Sequence, residues 1–155
     1  MPHFTSLLLL STLLAGPAIV AAQENPPAQY DAALAKTLGA DDMGMRSFVL
    51  VVLKTGPTKV PTGPKRDEMF KGHMANIQRL AAEGKLVFAG PLDGVDGWRG
   101  LFIFATKDIA AAKSYVATDP VIIEGEMVAE YHRFYGSAGL MMVNEIHHKI
   151  SKQKP

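Results

Sequence analysis

Cysteine is missing altogether from the 155 residues. That absence excludes a disulfide framework, a thiolate metal site, a cysteine nucleophile and a lipidated amino-terminal cysteine. Excess charge is missing too. Sixteen Lys and Arg against fifteen Asp and Glu leave a formal net charge of +1, which gives no electrostatic reason to expect nucleic acid or an anionic membrane surface as a partner. No apolar run reaches the ~20 residues that a membrane span needs. There is no glycine-rich phosphate loop, no Gly-x-Ser-x-Gly elbow and no dinucleotide fingerprint. His147 and His148 are adjacent, and adjacent residues do not share a helix face, so they make a poor metal pair. Neither a cofactor nor a metal is expected. The eight methionines fall mostly at core-like positions and do not indicate a copper cluster.

What is present begins with an export pattern. Leu7 to Leu10 and Leu13 to Ala15 form a short apolar run, broken only by Ser11 and Thr12 and closed by Gly16-Pro17. Val20-Ala21-Ala22 then precedes polar Gln23, Glu24 and Asn25. This is an h-region followed by a small-x-small cleavage site, with the cut expected after Ala22. The n-region departs from the pattern in carrying no Lys or Arg. The compartment implied is the periplasm or the cell exterior, and no membrane partner is expected for the mature form. Residues 23–45 form an extension. Its polar stretch contains Pro26 and Pro27, a tether composition, and Tyr30 to Leu38 has helical spacing with Gly39 as a stop.

The next segment, residues 46–136, is organised as one domain. Phe48 to Leu53 is an unbroken apolar run, expected to be a strand buried on both faces. Thr55 to Pro64 holds three prolines and two glycines and is expected to be a loop. Pro64 suits the first helical position, and Phe70, Met74, Ile77 and Ala81 repeat at helical spacing up to Gly84, a left-handed cap. Leu86 to Ala89 and Trp98 to Ala105 are expected to form a hairpin, with Gly90-Pro91 ending its first strand. Thr106 is placed to cap a second helix running through Val116. Asp119-Pro120 ends that helix or starts a new turn. Met127 to Tyr135 is the fourth strand, Gly136 to Gly139 a turn, and Leu140 to Lys149 a final helix within a tail at 137–155. The order βαββαβ is the ferredoxin-like split unit: an α+β fold with a four-stranded antiparallel sheet and two helices on one face.

Alternation along the first strand places Phe48, Leu50 and Val52 on one side and Val49, Val51 and Leu53 on the other. Both faces are apolar, yet the chain supplies one helical layer. A second copy packed sheet to sheet would cover the open face, so a homodimer is expected. The alternative is that the extension or the tail folds back over it.

A helix carrying His73, its end at Leu80 to Gly84, a strand running into Ala89-Gly90-Pro91-Leu92, and Asp119-Pro120 after the second helix make an ordered set. In this set the chain resembles the YciI-like (YCII-related) family over roughly Arg46 to Tyr135. The resemblance implies a dimeric α+β barrel and an active site built from His73 and Asp119. It also implies similarity to muconolactone isomerases, and a cofactor-independent reaction on small, often chlorinated, aromatic-derived compounds. The leader and extension, the proline-rich loop 55–64 and the tail depart from the plain domain.

Read from the residues, His73 sits at the edge of the helix face that meets the sheet. It can move a proton near neutral pH, or it can be a half-buried histidine bonded to a backbone group. Asp119 can orient that ring, or simply cap the turn begun by Pro120. Gly90 and Pro91 can shape a pocket wall or merely turn the chain. Arg66 and Lys71 can meet an anionic substrate or lie on a solvated face. Asp93 and Asp96 are turn residues, and His132 on the last strand is structural. The expected function is cofactor-independent acid–base chemistry, of isomerase or lyase type, on a small organic molecule, with Gly90, Pro91 and Arg66 contacting it. The alternative is a small-ligand-binding or accessory domain of the same fold without catalysis. One prediction follows from the leader: protein purified from its native host should begin at or within a few residues of Gln23 on terminal sequencing, and a chain still starting at Met1 or Pro2 would exclude export by cleavage.

Overall fold

The computed structural model describes residues 29–152. The expected leader, and the extension as far as residue 28, lie outside the described residues. The compact unit starts at Asp31. Helix α1 (Ala32–Leu38) is capped by the Asp31 side chain, which accepts from the Leu34 amide. Gly39 closes it in the left-handed conformation at φ 66°, where a Cβ would be strained. Arg46 Nη1 donates to the Leu38 carbonyl at 2.7 Å, satisfying a group that the helix end leaves open.

Strand β1 (Met45–Thr55) lies between β3 (Trp98–Phe104) and β4 (Met127–Ser137), and β2 (Leu86–Pro91) pairs with the outer side of β3. The order β2-β3-β1-β4 is antiparallel throughout. With α2 (Pro64–Ala82) between β1 and β2, and α3 (Ile109–Val116) and α4 (Pro120–Ile123) between β3 and β4, this is the expected βαββαβ fold. Side chains of β1 pack into a core cluster on each face of the sheet, which is why the run from Phe48 to Leu53 is apolar on both sides.

On one face Val49, Val51, Leu53, Phe102 and Phe104 pack under Met69 and Leu80 of α2, Ala112 and Val116 of α3, and Val121 of α4. On the other, Phe48, Val87 and Ile103 form a smaller cluster with Phe134, Leu140 and Met141. Leu140 and Met141 belong to a 3-10 turn (Ala138–Met142) that leads into α5 (Val143–Ile150). Asn144 Nδ2 of α5 donates to the Leu86 carbonyl at 2.8 Å, so the tail crosses one end of the sheet from the β4 edge to the β2 edge. It covers part of the second face. Leu50 and Leu101 remain half-buried there, and Phe88 and Val128 are exposed.

Three local expectations change. The second helix is capped by Asp108, whose carboxylate accepts from the Ala110 amide at 2.8 Å, while Thr106 accepts from Asp108 one step earlier. Gly90-Pro91 extends β2 rather than ending it, as an edge strand permits. Gly136 stays in β4 and makes no turn. A Cβ there would lie 2.6 Å from the Phe134 ring, so the glycine makes room for that ring. Among the described residues no helix is long and apolar enough to cross a membrane.

Candidate functional site: a histidine on a buried carboxylate

Met69, His73, Asn76 and Leu80 recur along α2 at spacings of four, three and four, which puts them on one inward stripe. Met69, Asn76 and Leu80 are buried and His73 is 12% exposed at its side chain. Between them Gly72 meets the short helix α4. A Cβ at Gly72 would stand 2.9 Å from Pro120 Cγ, too close for a real contact. The glycine lets the start of α4 approach α2 to backbone distance, and Asp119 is the N-cap of α4.

Asp119 is 0% exposed. Its Oδ1 accepts from the Val121 amide at 3.1 Å. His73 Nδ1 lies 2.9 Å from Oδ1 and 2.8 Å from Oδ2. Asn76 Nδ2 makes a long third contact, 3.4 Å from Oδ2. A carboxylate facing amide donors is an acceptor, so the proton between the two side chains belongs to His73 Nδ1. In the neutral ring Nε2 then carries the lone pair. Nε2 makes no hydrogen bond among the described residues, and no buried polar side-chain atom there lacks a partner. It therefore reaches the surface. A histidine so held can take a proton at Nε2 and return it.

The ring is walled by aromatics. Phe102 stacks on it at 6.1 Å between centroids, and Phe70 meets it edge-on at 6.1 Å. Arg66 lies over the outer Phe70 ring, its Cζ 4.8 Å from the centroid. Arg66 is committed to a clamp: Nη1 donates to Glu126 Oε1 at 2.5 Å and to the Val60 carbonyl at 3.1 Å. Glu126 Oε2 in turn accepts from the Val60 amide at 2.7 Å. The proline-rich loop is thereby held down over the end of β4. Burial pushes the Glu126 carboxyl up. The Val60 amide, the bonded Arg66 guanidinium and the charge of Arg99 outweigh that and hold it below the usual carboxylate range.

His73 and Asp119 thus meet, and Arg66 approaches them only through Phe70. Pro91 lies two residues beyond Ala89, which packs on the helix-side core, so it shares that face. Gly90 pairs with Leu101 on the opposite side of the sheet, away from the His73 ring. Lys71 is exposed and lies 3.7 Å from Glu68. His132 pairs with exposed Glu130 at 2.8 Å. Three surface cavities of ≈ 480 to ≈ 520 Å³ are formed by other residues, and His73 lines none of them. One, of ≈ 480 Å³, lies between α2, β2 and α5 and is walled by Ile77, Phe88, Ala89 and Val143. Among the described residues no three His, Asp or Glu side chains group to hold a metal.

The model of the YCII-related domain matches residues 47–134. The chain belongs to that family. The matched stretch contains the His73–Asp119 pair, Asn76 and the Glu126 clamp, whereas α1 and α5 fall outside it. No curated protein matches the chain. A solved structure from Burkholderia phenoliruptrix AC1100 is similar at 21% identity and a TM-score of 0.43, covering 56% of this chain and 92% of that one. It is the 5-chloro-2-hydroxyhydroquinone dehydrochlorinase TftG in complex with 2,5-dihydroxybenzoquinone.

Asn76 and Glu126 did not stand out in the sequence. Asn76 was within reach, since a polar residue three positions after His73 on an inward stripe calls for a partner. Glu126 offered no such signal, because its partners lie 60 and 66 residues away. Its lowered carboxyl makes a pH prediction. A depressed folded pKa contributes stability that is complete above the unfolded value of about 4.3 and is lost as pH falls through the lower folded value. Glu126→Gln should cost about 1–3 kcal/mol near neutral pH, from the lost charge-assisted bonds. Urea unfolding should show the gap between wild type and variant narrowing at about pH 3. An equal gap at both pH values would mean that the clamp does not act through its charge.

Proposed function

We propose that this YCII-family protein is exported, and that His73, held by Asp119, moves a proton on a small organic molecule without a cofactor, in an isomerase- or lyase-type reaction. The observation that carries this reading is the division of labour on one ring: Nδ1 is spent on a wholly buried carboxylate while Nε2 is left at the surface. Abstraction of a proton beside a carbonyl needs such a base, and its return to a neighbouring atom completes an isomerisation. Asp119 stabilises the imidazolium formed in between. Pro91 supplies wall at the end of β2, Gly90 contributes only backbone, and Arg66 shapes the site through Phe70 with its exposed edge available to an anionic group. The apolar run and small-x-small site within residues 1–22 support a periplasmic or extracellular setting. A second reading has its own observation. The cavity between α2, β2 and α5 is mostly apolar and within the size range of small-ligand sites, and it lies beside His73 rather than on it, as a binding domain without catalysis would allow.

Deuterium exchange at carbons adjacent to carbonyls, followed by NMR across a library of small ketones, lactones and quinones, tests the first reading without knowledge of the product. His73→Gln can still donate to Asp119, so it should keep most of the stability, whereas His73→Ala strands a buried carboxylate and should cost about 1–3 kcal/mol. Both should lower exchange by roughly a hundredfold or more. Exchange as fast in His73→Gln as in wild type would overturn the catalytic role.

We also propose that the chain is a homodimer whose contact is the part of the second sheet face that the tail leaves open, around Leu50, Leu101 and Phe88. Leu50 and Leu101 are left half-buried there, beside His132 and Glu130, the cross-strand partners of Leu50 and Val52, and a second copy would bury these leucines. Light scattering at micromolar concentration should report twice the mature mass, and Leu101→Lys should halve it. A monomeric wild type would show that the tail is cover enough.

A further inference from the structure

Asn76 is 7% exposed, and its side chain links the buried carboxylate to the surface. Arg79 Nη2 lies 2.7 Å from Oδ1 of Asn76. A guanidinium only donates, so the atom facing Arg79 must be the amide oxygen. The amide NH₂ then has one direction left to face, which is Asp119 Oδ2 at 3.4 Å. Thr118 Oγ1 closes the arrangement, 2.9 Å from the same Asn76 oxygen and accepting from Arg79 at 3.1 Å. Arg79 itself is braced by Glu83 at 2.8 Å. Asp119 is thus met by donors only: Val121 on Oδ1, Asn76 on Oδ2, His73 on both.

We propose that Asn76 is the positioning residue of the His73–Asp119 pair. Its amide, oriented by Arg79, keeps Asp119 Oδ2 an acceptor and so keeps the His73 proton on Nδ1 and the lone pair on Nε2. The inference rests on the proposed role of His73 and adds that the outward nitrogen is prepared as a base by a side chain that does not touch it. The same amide turned over would present its oxygen to Asp119, and two acceptors in contact would have to draw in a proton between them. The claim of Asp119 on Nδ1–H would then weaken.

The tautomer of His73 is the readout, and it needs no substrate. Long-range proton–nitrogen correlation spectra of the ¹⁵N-labelled full chain distinguish Nδ1–H from Nε2–H. Wild type should show the neutral ring as Nδ1–H. Asn76→Asp, of nearly the same shape but with an acceptor facing Asp119, should turn Nε2–H from the minor into the major form. Arg79→Met combined with Thr118→Val removes both donors to the Asn76 oxygen, frees the amide to turn over and should give a mixture of the two, and it serves if Asn76→Asp does not fold. Thr118→Val leaves Arg79 in charge of the amide and should keep Nδ1–H. An Nδ1–H tautomer unchanged in the folded Arg79→Met, Thr118→Val double variant, or in folded Asn76→Asp, would overturn the role of Asn76 and leave the proposed function standing. Nε2–H in wild type itself would overturn both.

Discussion

A carboxylate with no exposure to water governs the layout of the helical layer. Leaving a buried charge short of partners costs several kcal/mol, so the elements around Asp119 have to bring donors to it. The Val121 amide comes from the turn that Asp119 itself caps, and His73 and Asn76 come from α2. These requirements fix where α4 starts, which stripe of α2 turns inward and how far apart the two helices can lie. The sheet below is apolar and could accept helices in other registers. The polar contacts above it choose one.

The second buried carboxylate plays the corresponding part for the loop. Glu126 ties Val60 at both its amide and, through Arg66, its carbonyl, so a segment with three prolines and two glycines is anchored at its middle. The two networks meet at aromatic rings: Arg66 over Phe70, Phe70 against His73, His73 on Phe102. Loop, helix and sheet are therefore coupled at His73, whose Nε2 reaches the surface.

The order of elements was legible because it depends on local periodicity. The apolar run of β1, the Pro64 start and Gly84 stop of α2, and the hairpin turn are all written within a few residues of one another. The pairing of His73 with Asp119 was reachable only through the family resemblance, since 46 residues separate the two. What escaped was decided at longer range or by competition between equals. Thr106 and Asp108 both suit a cap, and only the path of the chain out of β3 chooses between them. Gly90 and Gly136 have the composition of turns, but one lies on an edge strand and the other gives up its side chain to the Phe134 ring. The tail's route across the sheet end rests on Leu140 and Met141 packing beside Phe48 and on the Asn144 amide meeting Leu86.

Gly72 has a consequence for reading related chains. A glycine in mid-helix costs about 1 kcal/mol relative to alanine, and here the only thing gained in exchange is proximity, since Pro120 occupies the space a methyl group would need. A methyl group there would require Pro120 or α2 to shift, and a hydrogen bond of 2.8 Å tolerates little separation. A chain could therefore keep both the histidine and the Asp-Pro step and still lose the contact between them. The size of the residue just before the histidine therefore bears on how closely the two can be held.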